Sequence, residues 1–140
     1  MPETIQLHFD IAGNNFVDAG AASGKMKKTL TQLGFEPAVI RRAAIAMYEG
    51  EINMVIHANG GVADVYIDSD KIRIVLSDKG PGIADISLAM KEGYSTASQE
   101  ARDLGFGAGM GLPNMKNYTD EMHVESEVGV GTTVDMVIYC

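Results

Sequence analysis

Near the start of the chain Ile5, Leu7, Phe9 and Ile11 are separated by Gln6, His8 and Asp10. That period of two predicts a strand with one buried face. After Gly13-Asn14-Asn15, the stretch from Phe16 to Leu33 carries Val17, Ala21, Met26 and Leu30 at helical spacings and closes on Gly34. A first helix is expected there, with glycine at its C-terminus. Pro37 suits a first helical turn, and the residues from Ala38 to Ala58 are apolar around most of the circumference, which predicts a second, largely buried helix. Val62 to Ile67 and Lys71 to Ser77, joined at Asp68-Ser69-Asp70, read as a hairpin. From Asp78 to Gly111 the periodicity gives way to seven glycines and the run GYSTASQEARD. Long loops inside compact domains are usually functional, so a lid at about residues 84–111 is expected. A short helix after Pro113 and a last hairpin, Met122 to Ser126 and Thr132 to Tyr139, complete the chain. The order lacks the strand-helix alternation of a doubly wound sheet. It predicts an α+β domain, a two-layer sandwich of a mixed, largely antiparallel sheet with helices on one face.

Composition narrows the classes. A length of 140 residues with 46% hydrophobic content supports one domain over residues 1–140, with a core that needs no disulfide. The single cysteine, Cys140, has no partner within the chain, so a reducing cytoplasm is the expected setting. No apolar run is long enough for a membrane span and MPETIQLHFD lacks the order of a signal peptide, so neither insertion nor export is expected. Eleven Lys and Arg against 19 Asp and Glu give a net charge of −8, which argues against direct contact with nucleic acid. Lys25, Lys27, Lys28, Arg41 and Arg42 form a local basic cluster, a solvated helix face or a contact for an acidic protein.

The candidate chemistry begins in YEGEINMVIHA, where Glu49 and Asn53 share one helix face, about 40° apart, while Glu51 points nearly the opposite way. A largely buried helix carries such groups inward only when they are paired or at work, because desolvating an unpaired carboxylate is costly. An amide oxygen suits Mg²⁺, which makes Asn53 the metal candidate. A positioned carboxylate is a competent general base, which makes Glu49 the catalytic candidate. Asp78 ends the strand from Lys71 to Ser77, with Gly80 and Gly82 just after it, where backbone can approach a ligand closely. In GFGAGMGLPNMK, Gly105, Gly107, Gly109 and Gly111 precede a helix, an arrangement of free N–H groups suited to a triphosphate. The spacing is that of neither a Walker loop nor a dinucleotide fingerprint.

Taken in order, Glu49-x-x-x-Asn53, Asp78-x-Gly80-x-Gly82-Ile83, Gly109-x-Gly111-Leu112 and Gly129-x-Gly131-Thr132-Thr133 resemble the GHKL ATPase superfamily of gyrase, histidine kinases and mismatch-repair ATPases. The small size resembles its anti-sigma regulatory factor branch, the serine/threonine kinases of bacterial partner-switching modules. The resemblance covers roughly Ala38 to the C-terminus and implies the Bergerat-type ATP-binding fold. It further implies ATP and Mg²⁺ as cofactors, Glu49 as base, Asn53 on magnesium and Asp78 on the adenine amino group. Gly80 and Gly82 would pass close to the base, and Gly107, Gly109, Gly111 and Leu112 would wrap the phosphates. Thr132 or Thr133 would support Asp78, and Arg102 or Lys116 would neutralise phosphate charge. The implied acceptor is a STAS-type antagonist protein, with a sigma factor as a further partner and a homodimer as the assembly. The alternative is an ATP-dependent binding switch that sequesters a sigma factor with little catalysis.

Overall fold

A computed structural model of the protein describes residues 4–12, 19–57, 60–80 and 111–140. Strand β1 (Ile5–Ala12) is followed by helices α1 (Ala21–Gln32) and α2 (Pro37–His57), then by strands β2 (Gly60–Ile67) and β3 (Lys71–Ser77). Helix α3 (Gly111–Asn117) leads into β4 (Glu121–Glu127) and β5 (Gly131–Tyr139). The strands form one five-stranded sheet in the order β1-β2-β3-β5-β4, and each neighbouring pair is antiparallel.

The alternation along each strand places its apolar residues in common rows. One row runs Leu7, Val65, Ile74, Met136, Met122 and the next Phe9, Ala63, Leu76, Val134, Val124. These side chains share a single core with Met26 and Leu30 of α1 and with Ile40, Ala43, Ala46 and Met47 of α2. The intervening rows mix polar side chains with Val75, Tyr66 and Val137, and carry the polar contacts: His8 pairs with Asp64 at 2.6 Å, and Arg73 makes a two-pronged bond to Asp135. A two-layer α+β sandwich results, with the helices on the apolar face.

One expected boundary moves and one holds. Helix α1 starts at Ala21, and of the expected stretch residues 16–18 lie outside the described residues. Gly20, at φ 95°, turns the chain into the helix in the left-handed region where glycine is at ease. At the other end Gly34 has φ 82° and the Phe35 N–H returns to the Leu30 carbonyl, the expected glycine stop.

Gly50 sits inside α2, where glycine costs roughly 1 kcal/mol relative to alanine. Its use is proximity. A Cβ there would overlap Leu76 Cδ1 and lie 3.2 Å from Met115 Sδ. The missing side chain lets α2 lie directly on β3 and against α3.

Candidate functional site

Helix α2 carries the predicted pair at its inner turns. Glu49 and Asn53 are both half-buried. Burial raises the Glu49 carboxyl above its ordinary pKa of 4.5, and a hydrogen bond from Asn114 acts the other way. That bond runs from Asn114 Nδ2, on α3, to Glu49 Oε1 at 3.3 Å. The carboxylate is therefore partly desolvated but not orphaned, a state that strengthens it as a proton acceptor.

Asp78 lies just beyond β3 and is gripped by its neighbours. Its Oδ1 accepts the Thr132 N–H at 3.2 Å and the Gly80 N–H at 2.9 Å, and its own N–H donates to the Thr132 carbonyl at 2.9 Å. Oδ1 is occupied by the backbone, which fixes the orientation of the whole carboxylate. The trough that holds this segment is floored by two glycines. A Cβ on Gly131, which has φ 146°, would run into the Asp78 carbonyl, and one on Gly61 would strike the Ser77 carbonyl and lie 3.1 Å from Asp78 Cα. The same Gly61 faces Met54 Sδ at 3.0 Å from that Cβ position. Met54 adjoins Asn53, so the end of α2 and the end of β3 meet at one rim of the molecule.

The threonines are placed differently from each other. Thr132 supports Asp78 through its main chain, while its hydroxyl pairs with Ser126 Oγ at 2.8 Å. Thr133 Oγ1 lies 3.4 Å from Ser77 Oγ. Gly80 is buried against Asp78. Gly111 opens α3, and Leu112 is a core side chain that anchors that helix. Gly82, Gly107, Gly109, Arg102 and the expected lid up to residue 110 lie outside the described residues. Lys116 is exposed on the last turn of α3. The groove lined by Ile5, Leu33, Phe35, Ile67 and Asp68 lies at the opposite end of the sheet and takes in none of these residues.

Among the described residues no cluster of three or more His, Cys, Asp or Glu forms a metal cage. The residue that could hold Mg²⁺ is Asn53, whose amide oxygen is the hard donor that ion takes beside its waters and phosphate oxygens. No described helix is long and apolar enough to cross a membrane.

Asn114 and Gly61 have a clear part here and are absent from the sequence expectations, while Gly131 stands there only within an ordered motif, with no role of its own. Asn114 reaches Glu49 across 65 positions, a pairing without a local signal. Gly61 and Gly131 had a signal in being glycines within or beside strands, which marks close backbone approach. If Asp78 holds the adenine as the resemblance implies, Gly131→Ala is expected to weaken ATP binding at least tenfold, roughly 1.4 kcal/mol, by pushing Asp78 off its seat. Fluorescent-nucleotide titration checks it, and wild-type affinity would show that the contact at Gly131 is irrelevant to the site.

Comparison with known proteins gives the relatives of the chain. The family described as histidine kinase-, DNA gyrase B-, and HSP90-like ATPase matches residues 38–139. The serine/threonine-protein kinase RsbT of Bacillus subtilis (strain 168) is 30% identical over 124 residues, covering 86% of this chain and 87% of that protein. An anti-sigma F factor of Thermoanaerobacter sp. (strain X514) is 37% identical over 99 residues, covering 67% of this chain and 66% of that protein. The crystal structure of the RsbU and RsbW domains of a Mycobacterium tuberculosis protein superposes with a TM-score of 0.65 at 16% identity. It covers 96% of this chain and 32% of the other, and it supports the fold.

Proposed function

The chain belongs to the histidine kinase-, DNA gyrase B-, and HSP90-like ATPase family, and on that footing we propose that it is an ATP-dependent serine/threonine protein kinase of the anti-sigma factor type. The observation that carries the reading is the clasped Asp78 carboxylate, held by the Thr132 and Gly80 main chain on a segment that Gly61 seats against Met54, the neighbour of Asn53 on α2. Asp78 has one oxygen committed to the backbone and a second that would accept the adenine amino group. Asn53 would offer its amide oxygen to Mg²⁺, and the cation would neutralise charge on the phosphates. Gly80 and Gly82 would pass beside the base, and Gly107, Gly109 and Gly111 would line the phosphates. Glu49 would take the proton from an acceptor serine or threonine hydroxyl as its oxygen bonds to the γ-phosphorus and ADP leaves.

The acceptor in this proposal is a STAS-type antagonist protein. A phosphate added there contributes nearly two negative charges and alters a protein contact. The anti-sigma F relatives favour a second layer, in which the nucleotide-bound chain also captures a sigma factor. A homodimer in the cytoplasm completes the proposal.

Calorimetry of ATP binding with and without Mg²⁺ tests it. Wild-type protein is expected to bind ATP more tightly with Mg²⁺, and Asn53→Ala is expected to lose that gain, at least tenfold or roughly 1.4 kcal/mol. Absence of binding under either condition would sink the proposal.

A further inference from the structure

Resting on the reading of Glu49 as the base, we propose that Asn114 is its positioning residue, holding Glu49 Oε1 by a donated hydrogen bond so that Oε2 is the oxygen left to receive the acceptor's proton. The terminal torsion of a glutamate is broad and nearly two-fold, so an unrestrained carboxylate presents either oxygen in many orientations. A single donor on one oxygen removes that freedom. The donor itself stands on a fixed base. Its neighbour Met115 is fully buried and packs where Gly50 lets α2 approach α3, and Leu112, one turn earlier, is part of the core.

The chemical type of the donor matters as much as its place. Lysine or arginine at this point would hold the carboxylate just as well, but its charge would drain the basicity that proton abstraction needs. A carboxamide orients without neutralising. Among the described residues the groups around Glu49 agree with this: α3 contributes the uncharged Asn114 and has Lys116 exposed, β3 presents Leu76 beside Gly50, and on α2 the Tyr48 phenol is raised by burial and by the charges of Glu49 and Glu51. Burial sets the raised proton affinity, and the asparagine limits it.

The test is a ¹³C-carboxyl NMR titration of nucleotide-free protein, with the Glu49 resonance identified by its loss in Glu49→Gln. In Asn114→Ala the Glu49 midpoint is expected to rise by roughly half a pH unit or more, since the ionised form loses its donor. In Asn114→Asp it should rise further, because a second carboxylate opposes ionisation. Midpoints equal to wild type in both variants would overturn the proposal. The base assignment stands on a separate readout, γ-phosphate release from ATP: wild-type release by Glu49→Gln would remove that reading whatever the titration shows. With both intact, Asn114→Ala should lower kcat at an unchanged KM for ATP, whereas a change confined to KM would place Asn114 outside the positioning of the base.

Discussion

Glu49→Gln is expected to lower phosphoryl transfer by roughly 10²- to 10⁴-fold, the usual worth of a general base. Binding of Mg-ATP should stay within about threefold of wild type, because the side chain acts on the acceptor and not on the nucleotide. The substitution is close to isosteric and keeps an oxygen for the Asn114 amide. A quench assay with γ-labelled ATP, paired with calorimetry, reads both quantities. Equal transfer by both proteins would remove Glu49 as the base, and absence of transfer by the wild type would point to a binding switch.

The pH dependence follows from the same residue. As the proposed base, Glu49 would work only when ionised, and burial places its pKa above the ordinary 4.5. The acid limb of kcat should therefore lie above that value, with activity falling as pH drops through it. The sign for stability is the reverse. A carboxyl whose pKa is raised on folding contributes stability below its unfolded pKa and loses that contribution as pH rises through the folded one. At neutral pH the ionised Glu49 is thus a cost to the fold.

Glu51→Ala is expected to cost about 3 kcal/mol of stability, two residues away and for an unrelated reason. Glu51 is 2% exposed. Its Oε2 accepts the Gly20 N–H at 3.0 Å and the Ala22 N–H at 3.2 Å, and its Oε1 accepts the Ser23 N–H at 3.0 Å. Those are the donors that a helix leaves unpaired at its N-terminus, and Gly20, at the cap position of α1, has no side chain to satisfy them. A carboxylate also answers the positive end of the helix dipole. Removing it strands three amides in a buried place. For a domain of this size the melting temperature should fall by roughly 10 °C. Glu51→Gln, which keeps two lone pairs on one oxygen, should cost about 1 kcal/mol. A melting temperature within a degree or so of wild type in Glu51→Ala would mean that water replaces the carboxylate freely.

The contrast between these two glutamates shows what was legible in the sequence. The rule that a carboxylate on a buried helix is either paired or at work does not say which: Glu51 is paired with three amides, and Glu49 is the one proposed to be at work. Glu49 is the half-buried one, and Glu51 the fully buried and paired one. The partners of Glu51 lie 28 to 31 positions earlier, beyond the reach of any helical spacing. Strands fared better, since alternation is local: β1, β3 and β5 follow from their own side chains. The ordered motifs marked Asp78, yet not that its grip is made of Thr132 backbone and not of a threonine hydroxyl. Main-chain donors carry no sequence signature. Gly50 was readable only as a weakness in the helix, because its purpose resides in Leu76 and Met115 on other elements.

The borrowed cap also bears on the order in which the molecule assembles. During synthesis α1 leaves the ribosome about 30 residues ahead of the carboxylate that completes it. A helix of 12 residues is marginal alone in water, and this one is interrupted by Gly24 and starts without a side-chain cap. Its formation is therefore tied to the arrival of α2. The pair should enter the native state as one cooperative unit, and the amides of α1 should exchange with solvent only when α2 detaches as well.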